Sequence, residues 1–133
     1  MSDLYVASRA ENQAQALEPY EAFQVGSRRL RKMMLYDANE RLIGMPAYSH
    51  YVDGFSTSPA YFWLLYSSCA FCIKGRNLPG ELLTLFQDDR LRLLRCFNPA
   101  RHLKPTADAL LIDTITRHTL KEFTLEQKGE RER

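Results

Sequence analysis

The chain has 133 residues, 45% of them hydrophobic and 26% charged, with a formal net charge of +2. That length and composition suit one globular domain with an ordinary core and set aside disorder as a class. A charge of +2 names no partner, so any nucleic-acid reading must rest on how the cations are distributed. No stretch approaches the roughly 18 consecutive apolar residues that suggest a membrane-spanning helix. Residues 1–20, with Asp3, Arg9, Glu11 and Glu18, lack the apolar run of a signal peptide. Three cysteines, an odd number, fit a reducing, cytoplasmic setting better than a disulfide framework.

In chain order, Ser8 to Leu17 is rich in Ala, Gln and Glu and begins with a capping residue, but its apolar side is only Ala10, Ala14 and Leu17. Pro19 closes it. Residues 1–22 therefore read as a loosely attached arm, helical or extended. Met33 to Tyr36 and Leu42 to Met45 are short apolar runs around Asp37-Ala38-Asn39-Glu40, a hairpin pattern. Ala47 to Val52 has the aromatic and β-branched character of a third strand, and Asp53-Gly54 predicts a loop through Pro59.

Tyr61 to Tyr66 is apolar without alternation, which predicts a strand covered on both faces. Ser67-Ser68 turns the chain into a further strand, Ala70 to Lys74. Asn77 then suits a helix N-cap, and Leu78, Leu82, Leu85 and Phe86 share one helical face, predicting a helix over 78–88. Arg90-Leu91-Arg92-Leu93 alternates with period two, so the helix is expected to break near Asp89 and a strand to follow over 91–97. Leu110 to Thr119 reads as a last strand, and the charged segment from Lys121 as a fraying tail.

The expected fold is thus α+β: one small antiparallel sheet of about five to seven strands, with closure into a barrel as one option, and one main helix. Residues 23–120 form the domain, between the arm (1–22) and a charged tail (121–133). The predicted core is Leu35, Ile43, Phe62, Trp63, Leu65, Phe71, Ile73, Leu82, Phe86, Leu91 and Ile115.

Four constellations could carry chemistry. Cys69-Ala70-Phe71-Cys72 is a C-x-x-C spacing, and Cys96 with His102 could complete a zinc site. Yet the pair lies between apolar strands and Cys72 occupies a position that an aliphatic residue could fill, so a structural role is expected, with no metal and no cofactor. The cations cluster, and Arg28, Arg29, Arg31, Lys32, Lys74, Arg76, Arg90 and Arg92 could form a nucleic-acid face. Lys74-Gly75-Arg76-Asn77 leads into a helix but lacks the glycines of a phosphate-binding loop. His50, His102 and His118 belong to no catalytic spacing.

Tyr36, Tyr48, Tyr51, Phe55 and Tyr61 are the candidate partner-binding residues, because amphipathic rings are enriched at protein interfaces. The leading expectation is a non-enzymatic interaction module, an adaptor, inhibitor or regulatory subunit, that binds a protein partner or another copy of itself and no membrane. A nucleic-acid binder comes second, and a small enzyme or zinc-stabilised module third.

Overall fold

Alternate residues of the apolar run Tyr61–Tyr66 enter two different cores. Phe62, Leu64 and Tyr66 join the main cluster, while Trp63 packs with Ala70 and Cys72 on the opposite face. This is the strand covered on both sides that its composition predicts. It is seen in a computed structural model that describes residues 17–78 and 80–131.

Among the described residues there are eight strands: β1 (Phe23–Val25), β2 (Met34–Tyr36), β3 (Leu42–Gly44), β4 (Tyr51–Ser58), β5 (Tyr61–Tyr66), β6 (Ala70–Arg76), β7 (Leu91–Arg95) and β8 (Leu111–His118). The same residues hold the helices α1 (Gly80–Gln87) and α2 (Leu120–Arg131). The fold is α+β, but its strands form two four-stranded sheets in place of the single sheet expected. The orders are β1-β7-β2-β3 and β4-β5-β6-β8, all antiparallel except β2 with β7. Among the described residues no helix is long and apolar enough to cross a membrane.

The main core gathers Leu35, Leu91 and Leu94 of the first sheet with Phe62, Leu64, Phe71, Ile73, Ile112 and Ile115 of the second. Leu82 and Phe86 enter it from α1, and the Phe86 ring lies 4.5 Å from that of Tyr51 and 5.4 Å from that of Tyr48. Of the predicted core residues, Ile43 and Leu65 are only partly buried. Tyr20 joins the sheets: its hydroxyl donates to the Arg95 carbonyl on β7 and accepts the Ile112 N–H of β8.

The break near Asp89 has a backbone cause. Asp89 takes a left-handed conformation (φ 58°), its N–H donates to the Phe86 carbonyl, and the Arg90 N–H donates to that of Leu85. These paired bonds close the helix in the manner usually given to glycine, and a short polar side chain tolerates the geometry.

Five expectations need correction. Ala47 to Val52 is not one strand: Tyr48–His50 forms a 3-10 turn that sends the Tyr48 hydroxyl inward to the Leu91 carbonyl at 2.7 Å. Asp53-Gly54 is not a loop but part of β4, where pairing with β5 overrides turn propensity and Gly54 leaves room for Leu83 of α1. Asn77, expected at the helix start, stands three residues before Gly80, the first residue of α1, and its amide donates to the carbonyls of Ala107 and Ala109. The described part of the arm is docked: Glu18 N–H donates to Arg101 O and Leu103 N–H to Glu18 O. Residues 1–16, with the helix expected there, lie outside the described residues. Last, the segment read as a fraying tail is α2. Thr119 and Glu122 form a reciprocal cap, at 3.1 and 3.0 Å, and Phe123 packs on Trp63 at 4.9 Å between ring centres.

Candidate functional site

The loop between β1 and β2 concentrates positive charge on a pinned backbone. Gly26 N–H donates to the Arg90 carbonyl and Leu30 N–H to that of Asp89, both at 2.7 Å. The Arg90 guanidinium returns two bonds of 2.9 Å to the Gly26 carbonyl. Leu30 packs on the main core, and the Arg31 carbonyl accepts the Tyr48 N–H at 2.9 Å. Between these anchors Arg28, Arg29, Arg31 and Lys32 are exposed, and none has an ion pair among the described residues.

The eight candidate cations therefore divide. Arg28, Arg29, Arg31 and Lys32 share this end of the first sheet with Arg90 and with the exposed Arg92 of β7. Arg90 is occupied in holding the loop, so it is a positioning residue. Lys74 and Arg76 lie on β6 in the other sheet, and Arg76 donates to the Thr106 carbonyl at 3.3 Å. Asp88 and Asp89 follow α1 and put negative charge beside the loop, and Val25, 43% exposed, puts apolar surface there.

The five aromatic candidates do not form one surface. Tyr48 is buried, and burial pushes its hydroxyl well above the ordinary tyrosine range. Tyr51 leans on Phe86, and Phe55 faces Phe123 under α2. Tyr36 is half-buried beneath the Arg95 guanidinium, whose centre is 5.9 Å from the ring. Tyr61, half-buried, stands opposite Lys74 across the β5–β6 pairing. Alternation and local composition could not separate rings that fill the core from rings that face outward.

The four alternative metal ligands are not brought together either. Cys72 lies under α2 with Trp63, on the sheet face opposite the core that holds Cys69 and Cys96. Cys96 sits against the Ile115 backbone, and burial pushes its thiol up to about 12. His102 is buried between Tyr20 and Phe97, and its Nδ1 accepts the Asn98 N–H at 3.0 Å. Among the described residues no group of three His, Cys, Asp or Glu side chains could hold a metal ion.

A second feature was not anticipated. Where β3 of the first sheet meets the β5–β6 hairpin of the second, a cleft of about 210 Å³ opens, lined by Gly44–Ala47, His50, Tyr66, Ser68, Cys69, Phe71 and Arg117. Its residues come from three separate stretches of the chain, so no local motif marks it.

No protein-family model, curated protein or solved structure matches the chain significantly.

Proposed function

We propose that the chain is a non-enzymatic binding module that docks an acidic protein surface on the loop carrying Arg28, Arg29, Arg31 and Lys32. The observation behind this reading is the pinning itself. A loop tied at Gly26, Leu30 and Arg31 presents its cations at little further ordering cost, which favours a defined partner over diffuse attraction. Val25 beside it offers an apolar contact of the kind found at protein interfaces. The cytoplasmic setting expected from the cysteines remains part of the proposal.

Nucleic acid is the second reading, carried by the same cations. One observation weighs against it: the candidate rings that could stack bases are dispersed or buried. The test is affinity capture from the host, with and without nuclease, comparing the parent with an Arg28→Ser/Arg29→Ser/Arg31→Ser variant. One protein retained after nuclease and lost with the variant supports the proposal. Recovery of nucleic acid, or loss of every partner on nuclease treatment, overturns it in favour of the second reading.

A further inference from the structure

The cleft between the sheets is separate from the basic loop and has a chemistry of its own. Its apolar walls are Met45, Pro46 and Phe71, and Gly44 makes room for the wall, since a Cβ there would lie 3.2 Å from the Phe71 ring. Arg117 of β8 stands opposite Phe71 in the β6–β8 pairing and so borders the cleft on its sheet side. It is exposed, and among the described residues its guanidinium has neither an ion pair nor a hydrogen bond.

Tyr66, 2% exposed, forms part of the buried side of the lining. Ser68 and His50 bring further polar groups to the wall, and no Asp or Glu lines it. One unpaired guanidinium, neutral donors and apolar walls suit a single carboxylate, which guanidinium binds in a two-pronged fashion. A doubly charged phosphate would find only one full positive charge from arginine and poorly solvating walls. The volume equals that of roughly seven waters in the liquid, room for one ring or a short branched chain.

The geometry points to this cleft as a binding site for a small monocarboxylate with an apolar body. Arg117 pairs with the carboxylate, and Met45, Pro46 and Phe71 cover the remainder.

Benzoate is the probe, with benzyl alcohol as its uncharged counterpart, each titrated into isotopically labelled protein while backbone amide shifts are followed. Saturable shifts confined to residues 44–50, 66–71 and 117 are expected, at the roughly millimolar affinity usual for so small a ligand. Benzyl alcohol should bind at least about tenfold more weakly, and Arg117→Met should weaken benzoate by a similar factor. Arg117 is exposed, so its variant should fold like the parent and keep the test decisive. Absence of saturation, shifts that map elsewhere, equal binding of the alcohol or indifference to Arg117→Met each overturn the proposal. The Arg28/Arg29/Arg31 variant should bind benzoate like the parent, which separates this result from that of the loop.

Discussion

Replacing Phe123 by Ala should release α2 from the sheet while leaving the main core folded. Phe123 is the aromatic anchor of that helix: its ring lies 4.9 Å from Trp63 and 6.1 Å from Phe55, centre to centre. A fully buried Phe→Ala change costs about 3–5 kcal/mol. Phe123 is half-buried, so about 2 kcal/mol is the proportionate figure. The helix has few other ties. Its Thr119–Glu122 cap is solvent-exposed, and the partly exposed His118–Glu126 pair, at 3.8 Å, contributes little. Twelve residues are also too few to hold a helix in water without packing. A loss of about 2 kcal/mol raises the undocked population roughly thirtyfold. Trp63 reports on this directly, because it is the single tryptophan and has 0% exposure. The variant should show red-shifted emission, stronger acrylamide quenching and a smaller helical signal, with most of the global unfolding midpoint retained. Unchanged emission and quenching would refute the docking; collapse of the whole fold would refute the separability of the two cores.

Two further outcomes follow from packing and burial. At Gly75 an added Cβ would lie 1.9 Å from the Leu111 carbonyl oxygen and 3.0 Å from the Ile112 Cα, so Gly75→Ala must part β6 from β8. A loss of about 2–3 kcal/mol and a midpoint roughly 6–10 °C lower are expected, and a midpoint within about 2 °C of the parent would contradict the close approach. In alkali, burial holds the Cys96 thiol up to about 12 and raises the hydroxyls of Tyr20, Tyr48 and Tyr66 above the ordinary tyrosine value of 10.0. Each raised group leaves the native state protonated while the unfolded chain releases its proton. Stability is therefore full below the unfolded values and falls as pH climbs from about 9 for the thiol and from about 10 for the tyrosines, by up to about 1.4 kcal/mol per unit and group. Urea midpoints at pH 7, 9, 10 and 11 measure it, and a flat profile would contradict the burial of these groups.

Short-range chemistry made part of this architecture legible. The unalternating Tyr61–Tyr66 run announced a strand with two covered faces, and the Arg90–Leu93 alternation announced β7. The Thr119–Glu122 box is a local signal of the same kind, but the expectation of a fraying tail rested on the charge from Lys121 onward. What escaped were decisions made by partners distant in sequence. Gly54 lies in a strand because β5 and Leu83 receive it, and Phe23–Val25 is a strand because β7 pairs with it.

The candidate sites divide in the same way. Which residues are cationic, and that four of them stand within Arg28–Lys32, is a property of the sequence alone. That they are held apart from Lys74 and Arg76 by membership of different sheets, while Arg90 clamps their backbone, was decided by the tertiary structure. Sequence likewise supplied the tyrosines, but the curvature of the 3-10 turn and the seating of α1 sent Tyr48 and Tyr51 toward Phe86. The cleft at Arg117 and Tyr66 belongs wholly to the tertiary structure. Hydrophobic patterning selects which residues avoid water over a few positions, whereas the meeting of two sheets depends on contacts between residues scores of positions apart.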